Sequence, residues 1–304
     1  MDDVAAIAKM AAASLDDVSA ATAKAGSKAV GVVVDDAAVT PGYAMGFTPE
    51  RELPIVWKIG LGSLRNKFLF LLPGALLLSA FARWAVTPIL MLGGTYLCFE
   101  ATEKIIEALS GHSHTKSDPD TSDLAQSSSR LEEQKIAGAI RTDFILSGEI
   151  MAIALSTVAD RPLAIQAGAL ALVSLGITLA VYGVVGLIVK MDDIGVRLAQ
   201  QTSTMVRTFG RALVKSMPQL LKILSTVGTA AMLWVGGGIL LHGFEHFGLN
   251  SIPLLIEHLS ERVAFMPGAA WLTFAMGSAM LGIVIGGVIT AVVHWMHGKH
   301  EGAA

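Results

Sequence analysis

The sequence predicts an all-α fold: a polytopic transmembrane helix bundle of about six spans, preceded by a cytosolic amphipathic helical region. Three observations point to it. Of 304 residues, 53% are apolar before the 31 glycines are added, and only 15% are charged. Mean hydropathy is +0.61. The scarcity of charge is local, because several long stretches carry almost none, which suits lipid better than an oversized soluble core.

Residues 1–50 are small and polar, with Val4, Ile7, Met10 and Leu15 at roughly helical spacing. They read as one or two cytosolic helices ending at the turn Thr40-Pro41-Gly42. Acidic pairs recur at Asp2-Asp3, Asp16-Asp17 and Asp35-Asp36, and again at Asp192-Asp193. They are N-caps and solvated helix starts, or else a surface that binds cations or docks a partner. The N-terminus has no basic and apolar leader, so targeting is expected from the first internal span. Residues 51–67 hold Trp57 among Lys58, Arg65 and Lys67, as an interfacial elbow would.

The spans follow at about 68–82, 85–103, 141–159, 163–190, 223–243 and 269–296. The first two lie in the segment 68–109, and the last four in 135–304, with a cytosolic loop at 191–222. Gly93-Gly94, Gly236-Gly237-Gly238 and Gly282-x-x-x-Gly286 fall inside spans. Such glycines let helix backbones approach closely, or break a helix at a transport site. Residues 110–134, rich in Ser, Asp and Thr with His112 and His114, read as a flexible cytosolic linker.

Orientation follows from Lys and Arg. The segments expected on one side hold nineteen of them, and the loops after spans one, three and five hold only Arg83, Arg161 and Arg262. The positive-inside rule then puts both termini in the cytoplasm.

Composition excludes several function classes. Net charge is −3, so no basic field attracts nucleic acid. Cys98 is the single cysteine, which rules out an internal disulfide and a thiolate metal cage. In an apolar run it reads as an inert buried thiol rather than a redox group. No phosphate loop, nucleotide fingerprint or Ser–His–Asp pattern is present, and no catalytic residue is expected: the chain does not read as an enzyme.

Ionisable groups inside spans are functional candidates by default. Asp143 and Ser147 are four apart and share a helix face. Glu149 is six from Asp143, roughly 120° around the helix. Such hard oxygen groups suit Mn, Ca or Mg, or a proton relay; alternatively Asp143 pairs with Arg141 at the interface and Glu149 bonds within the bundle. Glu100 and Glu103 are one turn apart, either a ligand pair or a lysine-paired helix end. His242, Glu245 and His246 spell H-x-x-E-H, with both histidines on one face as two zinc ligands need. No third ligand is evident, and the motif sits at the end of a span, so a polar helix end or an ion-entry site are the other readings. His294, His297 and His300 trail from the last span as interfacial groups.

Two resemblances rest on these runs. Leu53-Pro54-Ile55-Val56-Trp57, the run PILMLGGTYLCFEATEKI from Pro88 to Ile105 and the run DFILSGEIMAIAL from Asp143 to Leu155 resemble the YedI-like bacterial inner-membrane proteins. That resemblance extends along essentially the whole chain and implies a multi-pass protein of the bacterial inner membrane, in a family of uncharacterised function. The stretch from Gly93 to Ile105, the Asp143–Ser147–Glu149 spacing and the run from Gly236 to Pro253 are similar to TerC-type membrane proteins of the LysE transporter superfamily. This second resemblance covers about half the chain and implies export of a divalent metal, manganese or calcium. Glu149 stands where that pattern has a second Asp, and His242 where it has a Glu.

The expected function is therefore transport of a divalent cation or another small ion past Asp143, Ser147 and Glu149, with Glu100 and Glu103 in support and His242 and Glu245 near the outer mouth. The alternative is a membrane scaffold whose residues 1–50 dock a cytosolic protein. A third reading, an intramembrane metallopeptidase, needs zinc on His242 and His246. The expected partners are the lipid bilayer and a second copy of the chain, since two-fold dimers are the commonest oligomers.

Overall fold

The computed structural model describes residues 2–40, 49–110, 123–262 and 268–301. The side chains of Asp2, Asp3, Asp35 and Asp36, residues 111–122 of the expected linker with His112 and His114, and the side chains of His297 and His300 lie outside the described residues. Among those described, every regular element is helical: α1 (Asp2–Val39), α2 (Pro49–Asn66), a π turn (Lys67–Leu71), α3 (Leu72–Phe81), a 3-10 turn (Arg83–Ala85), α4 (Val86–Ser110), α5 (Asp123–Val158), α6 (Leu163–Ala199), α7 (Thr204–His246), α8 (Ser251–Arg262) and α9 (Ala269–Glu301). The fold is an all-α helical bundle.

Five stretches among the described residues are long and apolar enough to cross a membrane: Arg51–Phe81, Arg83–Leu109, Leu163–Ala199, Thr204–His246 and Ala269–Met296. The expected span at 141–159 lies in α5 and is not one of the five. Arg141, Asp143 and Glu149 crowd its first half and dilute its hydropathy. The second half of the expected linker, 123–134, is the start of α5.

The chain divides into two compact units, residues 1–86 with 133–222, and 87–132 with 223–304. In the first, α1 packs along α6. Ala21, Ala25 and Ala29, one helical turn apart, are buried with Ala169, Leu170 and Val173 of α6 and with Ala154, Leu155 and Val158 of α5. Small side chains at i, i+4 let two helices approach closely over several turns. Asp16, Asp17, Lys24 and Lys28 lie on the exposed side of α1.

The stretch expected as an elbow, 51–67, is helical and runs on through the π turn into α3. Pro73 supplies the reason for that turn. A proline in an ordinary helix lacks the N–H owed to residue i−4, and its ring clashes with that carbonyl, here Leu69. The helix widens instead, and the Leu72 N–H bonds Lys67 O. Lys67 is the residue of the turn that this winding buries.

The second unit packs backbone on backbone. A Cβ built on Gly94 would lie 2.8 Å from the carbonyl oxygen of Gly236, and one on Gly236 would lie 2.7 Å from that of Gly94. Gly237 abuts Ser278, Gly282 abuts Leu233, and Gly286 abuts Cys98 in the same way. Gly94, Gly236, Gly237, Gly282 and Gly286 therefore serve close packing, and none interrupts its helix. Cys98 is fully buried among them and unoxidised.

Candidate functional site: a buried ion pair held by three helical doublets

Three pairs of polar residues, each four apart, meet inside the first unit: Ser63 and Lys67 at the end of α2, Asp143 and Ser147 on α5, Thr178 and Tyr182 on α6. A spacing of four stacks both members of a pair on one helix face. Each helix thus presents one polar step to the same point.

The Lys67 ammonium and the Asp143 carboxylate are each 3% exposed, with Nζ 3.5 Å from Oδ1. An ammonium has three donors. Lys67 gives one to Ser63 Oγ at 2.9 Å and one to Thr178 Oγ1 at 2.9 Å, and the third faces Asp143. Asp143 Oδ1 accepts from the Tyr182 hydroxyl at 2.9 Å, and Oδ2 from Ser147 Oγ at 3.3 Å. The Thr178 hydroxyl in turn donates a hydrogen bond to the Ser174 carbonyl, 2.7 Å away. A charge buried in apolar surroundings is tolerable only when paired and hydrogen-bonded, and here both charges are.

Gly60 makes room for this arrangement. A Cβ there would stand 3.1 Å from Cγ of Tyr182, so the tyrosine ring lies directly on the α2 backbone.

Of the residues predicted from sequence, Asp143 and Ser147 belong to this cluster. Asp143 forms an ion pair with Lys67, where the alternative sequence reading paired it with Arg141. Glu149 follows on α5, half-buried, with Oε2 closed off from solvent. Glu100 and Glu103 belong to the second unit. Glu100 forms an ion pair with Lys104 at 3.0 Å, and Lys104 also reaches Met232 Sδ at 3.6 Å. Glu103 is half-buried.

His242 points its Nδ1 at the Gly238 carbonyl, 2.8 Å away, and its ring meets Phe274 edge-on. With Glu245, Glu257 and Ser260 it lines a cavity of about 310 Å³. His246 is exposed and stacks edge-on with Phe247. Among the described residues no group of three or more His, Cys, Asp or Glu comes together to hold a metal.

Sequence reasoning missed Lys67, Ser63, Thr178 and Tyr182. Lys67 reads as one more interfacial cation beside Arg65. The available signal was the four-residue spacing of Ser63–Lys67 and Thr178–Tyr182, the same spacing that singles out Asp143 and Ser147.

Several apolar helices of membrane-crossing length mark the chain as an integral membrane protein. The chain belongs to the family described as "Protein of unknown function (DUF808)", whose model matches residues 1–292. No curated protein and no solved structure matches it.

Proposed function

We propose that this protein is a small-ion transporter of the bacterial inner membrane, and that the Lys67–Asp143 pair is its proton switch. The observation that carries this reading is the pair itself. An intramembrane ion pair with every donor of its lysine engaged is costly to bury, and such groups mark ion and proton pathways in membrane proteins.

The chemistry favours a proton over a divalent metal. A Mn, Ca or Mg ion takes six or more oxygen ligands or near-octahedral geometry. Asp143 already faces an ammonium, and no cluster of further carboxylates or histidines surrounds it among the described residues. The donor set does not fit the metal that the TerC resemblance implies.

A proton fits. As a carboxylate, Asp143 accepts from Tyr182 and Ser147. Once protonated it becomes a donor as well, and hydroxyls can reorient to accept. The proton is thus taken up without orphaning a buried polar atom. What changes is charge: Lys67 loses its counter-ion, which biases the unit towards any state that gives the ammonium water or an anion. Both cytoplasmic termini and the inner membrane belong to the same proposal. The bias of Lys and Arg supports them, and removing the buried Lys67 from the count leaves that bias intact.

The test is proton flux into proteoliposomes loaded with a pH-sensitive dye. Asp143→Asn and Lys67→Met are expected to reduce flux to the level of empty vesicles. Wild-type flux in a folded Asp143→Asn protein would refute the assignment.

A further inference from the structure

A cleft of about 630 Å³ runs between α2 and α6 in the first unit. Its volume lies within the 300–1,000 Å³ usual for ligand sites. Leu53, Trp57 and Leu61 wall it on one side and Leu179 on the other, and no charged side chain lines it. Gly183 lines it beside Leu179, and a Cβ there would meet nothing within 4 Å. Thr178 and Tyr182 belong to the cleft as well. Their hydroxyls are turned to Lys67 and Asp143, so the cleft and the ion pair share a wall.

We propose that this cleft binds an acyl chain of an anionic membrane phospholipid. Trp57 is 73% exposed, Leu61 58% and Leu179 66%. In an integral membrane protein such a face meets lipid, and a grooved apolar face takes a chain into it. The charges beside the cleft select the headgroup. Arg51, Lys58 and Arg65 are exposed and seven residues apart, hence on one flank of α2. On the other side of α2, Glu52 lies within electrostatic reach of Asp192, Asp193 and Lys190, a group whose three carboxylates outnumber its one cation. A phosphodiester is drawn to the basic flank and turned away from the acidic one. A second copy of this chain fits less well. Two-fold pairing across this face brings identical patches together, and so gathers two Arg51–Lys58–Arg65 flanks into one interface.

The proposal is tested in protein whose other tryptophans, Trp84, Trp234, Trp271 and Trp295, are changed to Phe, leaving Trp57 as the reporter. It is reconstituted into bilayers in which either phosphatidylglycerol or phosphatidylcholine carries the brominated, quenching chains. Brominated phosphatidylglycerol is expected to quench Trp57 several-fold more strongly than brominated phosphatidylcholine at equal mole fraction. Arg51→Gln with Lys58→Gln and Arg65→Gln should bring the two lipids level. Gly183→Leu, whose Cβ meets nothing within 4 Å and whose side chain would occupy the cleft, should weaken quenching by both. Equal quenching by the two lipids in the parent protein, or quenching unchanged by Gly183→Leu, overturns the proposal. No readout depends on proton flux, so failure here is separable from failure of the proton switch.

Discussion

Removing one partner of the Lys67–Asp143 pair should be far more damaging than removing both. At a separation of 3.5 Å, Coulomb attraction at an effective dielectric of about 20 is roughly 5 kcal/mol. Both side chains are almost wholly buried, so solvent screens little of it. Lys67→Met leaves a buried carboxylate with two hydroxyl donors and no cation. Asp143→Asn leaves a buried ammonium with two hydroxyl acceptors and no anion. Each single change should cost about 3–5 kcal/mol, the usual penalty for orphaning a buried charge. At roughly 2–4 °C per kcal/mol for a chain of a few hundred residues, the unfolding midpoint should fall by about 6–20 °C. The double variant Lys67→Met/Asp143→Asn buries no charge and should lie closer to wild type than either single variant. Thermal unfolding of the four proteins in one detergent measures all of this. A double variant destabilised by the sum of the two singles would show that the charges do not interact, and the ion-pair account would fail.

Three further outcomes follow from the same geometry. Gly60→Ala sets a methyl 3.1 Å from the Tyr182 ring and should destabilise the protein by about 1–3 kcal/mol; the loss should shrink in a Tyr182→Phe background, and an undiminished loss there would separate Gly60 from the Tyr182–Asp143 bond. Pro73→Ala removes the cause of the π turn, so the helix should regularise and turn Lys67 away from Asp143 while the protein stays folded; proton flux should fall, and unchanged flux would show that the turn does not position the lysine. Gly237→Ala drives a methyl into the Ser278 carbonyl, a backbone clash that no side-chain rotation relieves, so the yield of monodisperse protein in size exclusion should collapse, and wild-type yield would contradict the close approach of α7 and α9.

Fold class was legible because lipid writes long runs into a sequence. Five stretches carry it by length and hydropathy alone. The glycines of the second unit were legible for a related reason: in helices without a hydrophobic drive to associate, small residues are how backbones meet. Gly94, Gly236, Gly282 and Gly286 each do so. What the sequence could not convey is where a helix spends its apolar face. Residues 1–50 read as one or two cytosolic amphipathic helices, yet Ala21, Ala25 and Ala29 are buried against α6. Alanine carries too little hydropathy to announce a buried stripe, and its partner lies more than a hundred residues away. The π turn was hidden too, since Pro73 signals a disturbed helix without saying whether it kinks or widens.

Half of the ion pair was visible for a related reason. A carboxylate inside an apolar run attracts notice by itself, and Asp143 with Ser147 forms a doublet on one face. A lysine at the edge of a run does not, because interfacial lysines are ordinary. Yet the two cannot be read apart. Hydropathy scores each charge as though it entered lipid alone, whereas a hydrogen-bonded pair enters as one neutral dipolar unit. Scored singly, Arg141, Asp143 and Glu149 keep α5 from counting as a span. Lys67, however, lies within the first stretch long and apolar enough to cross a membrane, Arg51–Phe81, and its ammonium touches the Asp143 carboxylate. Lys67 and Asp143 therefore share one depth to within a few ångströms, and a bilayer that takes in the lysine takes in that part of α5 with it.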